Sequence, residues 1–186
     1  MTTKEKIIEE SLKLFAVDGF ESVSVRKIAA AVGVRDSALY KHFSSKQAIF
    51  DAIVQQSIER FQQQYTKVDM MHLNPSNLVE SCMEMFQYQT KDPWIQCFRQ
   101  MLMIEQFRNP EMAKLYKQIF IDMPILGQKC IFEELIKKKI MKDNDAYVMA
   151  MELYAPFFLF HTVRENEEML EKRLRKHVEN FMNNNL

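Results

Sequence analysis

The chain has 186 residues, sets 25 basic against 25 acidic side chains, and contains only 3 glycines, where average usage would bring about a dozen. Gly19, Gly33 and Gly127 stand too far apart for a glycine-rich phosphate loop or a dinucleotide-binding turn. Three glycines are too few for the positive-φ positions that the turns of hairpin-rich β folds need, so the expected fold class is all-α.

The elements can be taken in chain order. Thr2 with Glu5 forms a capping-box pattern, and Ile8, Leu12 and Phe15 mark one apolar face up to Asp18, with Gly19 where a helix C-terminal cap is expected. Ser24 caps a short helix from Val25 to Val32 that ends at Gly33, and another short helix runs from about Asp36 to His42. Ser44 with Gln47 reads as a second capping box that opens a long helix, about Lys46 to Tyr65. Thr66 to Leu73 loses periodicity and is the linker candidate. Asn74-Pro75, Asp92-Pro93 and Asn109-Pro110 each place a capping side chain before a proline at the first helical position, where the missing N–H costs nothing. Met123-Pro124 reads as a further break, opening a helix to about Lys139. Asp143 and Asn144 offer a cap for a helix to Val163 that contains Pro156, expected to kink it, and Asn166 caps the last helix. The segments between the Asx-Pro pairs share no further pattern, so a helical repeat is rejected.

No secretory leader is read in the first residues, where charge alternates with apolar side chains. The longest later uncharged apolar run, Leu153 to Phe160, is far short of the ~20 residues a membrane helix needs. Cys82, Cys97 and Cys130 share no close spacing, against both a disulfide framework and a metal motif. A reduced, cytoplasmic protein is expected, with no membrane partner. The four histidines are scattered and no nucleophile has an activating neighbour, so neither a metal nor a cofactor nor an enzymatic site is expected.

The segment Ser24 to Lys46 carries the strongest signal. Two short helices meet at Gly33-Val34, with Ile28, Val32, Val34, Leu39 and Phe43 spaced to share one small core. This is a helix-turn-helix pattern, whose second helix enters the major groove of DNA. From Ser24 to Phe50 there are five basic residues, Arg26, Lys27, Arg35, Lys41 and Lys46, against Asp36 alone. The local excess is +4 and the rest of the chain sums to −4. A basic face beside Ser37, Tyr40 and His42 is the footprint of a phosphate-contacting surface.

The run from about Lys4 to Ala52 resembles the DNA-binding domain of TetR-family transcriptional regulators. The residues that carry the likeness are Leu14-Phe15, Gly19-Phe20, Ser24, Ile28-Ala29, Gly33-Val34, Leu39-Tyr40, His42-Phe43 and Lys46. The resemblance implies that Ser24, Tyr40 and His42 contact backbone phosphates, and that Lys46 meets one together with the start of the fourth helix. Arg35, Asp36, Ser37 and Lys41 fall where base edges are faced or flanked. Asp36 departs from the common pattern: it either accepts from a cytosine amine or pairs within the helix with Arg35 or Lys41. The implied architecture is a three-helix DNA-binding domain over residues 1–46, then a helical effector-binding and dimerisation domain over 47–186.

Beyond Pro75 the chain is rich in bulky side chains. Phe86, Trp94, Phe98, Met101, Phe107, Tyr116 and Phe120 are either an ordinary core or, as the resemblance implies, walls of a pocket for a largely apolar small-molecule effector. Gln96, Arg99, Gln100 and Glu105 either orient that effector or face water. Met151, Tyr154 and Phe158 form one stripe, and Leu170, Leu174, Val178 and Phe181 another. They pack within their own subunit or, by resemblance, build a homodimer suited to a palindromic operator in double-stranded DNA. The expected function is a repressor that an effector releases from its operator. The alternative is a helical carrier or enzyme that keeps the N-terminal motif as scaffold.

Overall fold

A computed structural model describes residues 1–65, 74–161 and 167–186, and among these all regular structure is helical. In chain order the helices are α1 (Thr3–Asp18), α2 (Val25–Val32), α3 (Asp36–Tyr40), α4 (Lys46–Tyr65) and α5 (Pro75–Lys91). They continue with α6 (Pro93–Glu105), α7 (Pro110–Lys117), α8 (Met123–Lys137), α9 (Ala146–Phe160) and α10 (Glu167–Asn185). Among the described residues no helix is long and apolar enough to cross a membrane.

Local chemistry sets the boundaries. Thr2 and Glu5 form the reciprocal capping box on α1, and the Ser24 hydroxyl accepts from Lys27 N–H at the start of α2. At the end of α2, Gly33 N–H donates to Ala30 C=O and Val34 N–H to Ala29 C=O, the Schellman arrangement, with Gly33 in the left-handed region. All three Asx-Pro pairs open helices. Asn74 accepts from Asn77 N–H, Asp92 from Ile95 N–H, and Asn109 from Glu111 and Met112 N–H.

Four expectations change. Ser45, not Ser44, caps α4, accepting from Ala48 N–H, while Gln47 reaches forward to Asp51. Met123-Pro124 opens α8 as expected, with the proline in the first turn, but without a break before it, because α7 passes through a π-helical turn, Gln118–Asp122, into α8. Helix α8 stops at Lys137, two residues before the expected end, where Lys139 takes a positive φ. Asp145 rather than Asp143 or Asn144 caps α9, accepting from Tyr147 and Val148 N–H. The linker candidate at 66–73, Val163 and the Asn166 cap lie outside the described residues.

The described residues fall into two compact units: Met1–Lys67 with Lys91–Tyr116, and Val68–Thr90 with Lys117–Leu186. In the first, α1 packs against α2, α4 and α6, and α4 against α6. Ile7, Ile8, Leu12 and Phe15 from α1, Ile28 from α2, Leu39 from α3, Ile49 and Ile53 from α4 and Ile95, Phe98 and Met101 from α6 are all buried. The N-terminal helices therefore share a body with α6, and the expected boundary at residue 46 falls within that body. In the second unit, α5, α8, α9 and α10 enclose a core that includes Phe86, Phe132, Leu153, Leu174 and Val178.

Gly19 and Gly33 both take positive φ but face different surroundings. A Cβ on Gly33 meets nothing within 4 Å, whereas one on Gly19 falls 2.7 Å from Glu105 Oε1. Gly33→Ala is expected to lower stability by about 1–2 kcal/mol, the left-handed penalty alone. Gly19→Ala is expected to lower it clearly further in urea unfolding. Equal losses would show that Glu105 leaves room for a methyl group.

Candidate nucleic-acid interface

The short helix α3 presents the site. Leu39 is fully buried and anchors it, while Arg35, Asp36, Ser37, Tyr40, Lys41 and His42 are all exposed around it. Five residues are too few for a helix to be stable by itself, so α3 owes its position to Leu39, to the Gly33-Val34 turn and to Phe43 behind it. Phe43 is buried, with the Lys4 amine 5.7 Å from its ring centroid. Of the five residues expected to form the small core, Ile28, Leu39 and Phe43 are buried, and Val32 and Val34 are half-buried.

The charged residues divide into committed and free. Lys27 pairs with Asp18 at 2.9 Å. The Lys46 amine donates to Phe20 C=O at 2.7 Å and Glu21 C=O at 3.3 Å, and lies 4.3 Å from the centre of the Phe20 ring. Among the described residues Arg26, Arg35, Asp36 and Lys41 form no ion pair, so the intrahelical partner considered for Asp36 is not made. Ser24 is exposed with its hydroxyl in the helix cap. A hydroxyl that accepts from a backbone N–H still has its proton to donate.

Phe20 was legible only as part of the resemblance, yet it holds the site in place. Its ring packs edge-on to Phe15 at 5.2 Å and to Phe50 at 5.3 Å. Its N–H donates to Glu105 Oε1 at 2.8 Å, and its C=O accepts from Lys46. The turn between α1 and α2 is thereby fixed by α4 and α6, and the start of α2 follows it.

Residues 7–53 match the family model for bacterial regulatory proteins of the tetR family. The likeness to that family rests on this N-terminal segment of the chain. Among its relatives, the biofilm operon icaADBC HTH-type negative transcriptional regulator IcaR of Staphylococcus aureus is 32% identical over 74 residues, 40% of this chain and 38% of that protein. The nucleoid occlusion factor SlmA of Escherichia coli is 40% identical over 53 residues, 28% of this chain and 27% of that one. The chain thus covers well under two-thirds of the length of the curated relatives it matches. A TetR transcriptional regulator from Chloroflexus aurantiacus has the same fold, with a TM-score of 0.77 at 16% identity over 97% of this chain and 94% of that one.

The expected effector residues divide between the two units. Trp94 is tied to α4: its indole N–H donates to Ser57 Oγ at 2.8 Å, and the Arg60 guanidinium lies 4.5 Å from the ring centre. Phe98, Met101 and Tyr116 are buried in the same unit, and burial pushes the Tyr116 hydroxyl above its ordinary pKa. Phe107 is 87% exposed and lines no interior. Phe86 and Phe120 belong to the second unit. There Phe86 lies 5.5 Å from Phe157 and 5.4 Å from His161, and the Tyr154 hydroxyl donates to Phe120 C=O at 2.7 Å. Glu105, read as an effector contact or a solvated residue, is 1% exposed and bound to Phe20, while Gln96 and Gln100 face water.

The expected interface stripe is largely core. Tyr154, Leu170, Leu174, Val178 and Phe181 are buried in their own unit, and Phe158 is half-buried. The exposed apolar line on α9 runs through Val148, Met151, Ala155 and Leu159, with Met151 46% and Leu159 58% accessible. Of the expected residues only Met151 is on it. Helix α9 is apolar on most of its circumference, so spacing alone does not tell its covered side from its open one.

The cysteines divide by environment. Burial pushes the Cys82 thiol up to about 12 and raises Cys97, while Cys130 is exposed. A raised pKa keeps the thiol protonated and unreactive at neutral pH. A disulfide reagent at pH 8 should modify the exposed Cys130 in the folded protein well before the half-buried Cys82. Rapid labelling of Cys82 in the native state would contradict its enclosure.

Proposed function

We propose that this protein is a homodimeric, sequence-specific DNA-binding repressor, released from a palindromic operator by a small-molecule effector. The observation that carries the reading is the unobstructed outer face of α3, where Arg35, Ser37, Tyr40, Lys41 and His42 surround one buried anchor, Leu39. Among the described residues Arg26, Arg35 and Lys41 have no acidic partner to give up on meeting phosphate. Each phosphate contact releases a counterion, which makes binding strongly salt-dependent. Tyr40 supplies a hydroxyl to the DNA backbone, and Arg35, Ser37 and Lys41 stand at the start and end of the helix, where base edges are read. The family relationship and the name of the IcaR relative, a negative regulator, support repression as the outcome.

Two reading heads in one dimer engage half-sites about one helical turn apart, ~34–36 Å. The surface we assign to dimerisation is the exposed line Val148, Met151, Ala155 and Leu159 on α9, because an apolar line of this length on a soluble helix calls for cover. The effector would be largely apolar, in keeping with the aromatic side chains of the second unit such as Phe86 and Phe157. It acts by binding one arrangement of the dimer better than another.

Selection of bound duplexes from a random pool is expected to return a two-fold symmetric consensus. Lys41→Ala should weaken binding to it about tenfold and reduce the salt slope by about one phosphate, and Tyr40→Phe should weaken it with little change of slope. Failure to enrich any sequence above non-specific binding would refute the reading.

Sedimentation at micromolar concentration should give a dimer. Met151→Arg with Leu159→Arg should give a folded monomer, whose operator affinity falls because one head engages alone. A dimer that survives both charges would move the interface elsewhere.

A further inference from the structure

Helix α6 holds the reading head at both of its ends, by chemically different means. In its first turn Trp94 donates to Ser57 Oγ, and the Ser57 hydroxyl donates to Ile53 C=O at 2.8 Å, so this end is bound to the middle of α4. At its last residue Glu105 bypasses α4 and reaches the turn between α1 and α2, accepting from Phe20 N–H at 2.8 Å. A carboxylate as enclosed as this one is costly to bury and is retained only where donors meet it. Room for it comes from Gly19, at which any side chain would collide with Oε1.

The contact lies at a sensitive place. Phe20 is followed four residues later by Ser24, which caps α2, and α2 leads through Gly33 to α3. Rotation of the Phe20 peptide therefore swings the start of α2 and carries α3 with it. Lys46 holds the carbonyl of Phe20 and Glu105 holds its N–H, so the turn has no freedom while both are in place.

We propose that Glu105 is a positioning residue for DNA recognition: its carboxylate, by holding Phe20 N–H, sets the angle at which α2 and α3 meet the duplex. The role rests on the DNA-binding reading above. It makes the end of α6 a direct handle on the reading head, separate from the Trp94–Ser57 connection to α4. The group needed is a hydrogen-bond acceptor at the reach of a glutamate, and its charge is secondary.

The test sets reach against charge. Glu105→Gln keeps the length and a carbonyl acceptor, whereas Glu105→Asp keeps the charge and withdraws the acceptor by one methylene. Three quantities are compared in wild type and both variants: amide hydrogen exchange at Phe20, affinity for the selected duplex, and affinity for a scrambled duplex at the same salt. The expected result is that Glu105→Gln stays within about threefold of wild type throughout. Glu105→Asp should lose Phe20 protection and about tenfold or more of its preference for the selected over the scrambled duplex, with scrambled binding unchanged. A variant that is only less stable loses both affinities together, so the ratio separates positioning from general weakening. Glu105→Asp with the wild-type ratio overturns the role, as does Glu105→Gln failing as badly as Glu105→Asp. If Glu105→Asp does not fold, exchange in the wild type decides: a Phe20 amide that exchanges as fast as an open loop means the latch is absent. A wild type that selects no duplex brings down the DNA-binding reading and this role together, whereas selection with an unchanged Glu105→Asp ratio brings down the role alone.

Discussion

The architecture of the reading head depends on how one residue is held. Phe20 has its ring enclosed by Phe15 and Phe50, its carbonyl bound by Lys46 of α4 and its N–H bound by Glu105 of α6. Each edge-on aromatic pair contributes about 0.5–1.5 kcal/mol beyond burial, and a hydrogen bond to a charged group about 1.5–3 kcal/mol. None of these is large, but they act on the same few atoms, so the turn cannot yield to one without breaking the others. A helix of five residues has no rigidity of its own. The stiffness of α3 is borrowed from this turn through α2 and from the burial of Leu39.

The same arrangement revises the electrostatics of a chain with no net charge. The excess of basic residues between Ser24 and Phe50 is real, but two of the five are engaged internally: Lys27 with Asp18, and Lys46 with the carbonyls of Phe20 and Glu21. What faces outward is Arg26, Arg35 and Lys41, with Asp36 among them. The field presented to DNA is therefore weaker and more local than composition implies. Under the proposed DNA-binding reading, that suits recognition by fit more than by bulk attraction, because a smaller non-specific term leaves more of the affinity to base-edge contacts.

Features settled within four residues were readable in the sequence. The Thr2–Glu5 box, the Ser24 cap, the Gly33 turn and the three Asx-Pro helix starts all depend on backbone groups next to the side chain that satisfies them. Even here the choice between Ser44 and Ser45 was not legible, since adjacent serines offer the same hydroxyl and only the path of the chain selects one. Features settled across the fold were not readable. Glu105 lies 85 residues from its partner, and no periodicity distinguishes it from the glutamates that face water. The aromatic residues after Pro75 fail in the same way: Trp94 is tied to α4, Phe86 stacks on His161 and Phe107 lies in solvent, although composition treats them alike. On α9 the pattern identifies an apolar helix but not its open side, because the covered and uncovered faces are both apolar.

The grouping of α6 with the N-terminal helices bears on what a displacement of α6 would reach. If the reading head ended at residue 46, any signal would have to travel along α4 as a lever. Instead α6 contributes Ile95, Phe98, Met101 and Glu105 to the body on which the head is built, so a shift of α6 is a shift of the head's own foundation. Apolar contacts of this kind slide and re-form with gradual loss, but a hydrogen bond from a backbone N–H to an enclosed carboxylate weakens steeply once its distance or angle is spoiled. Within α6 the core residues therefore carry the load and Glu105 supplies the threshold.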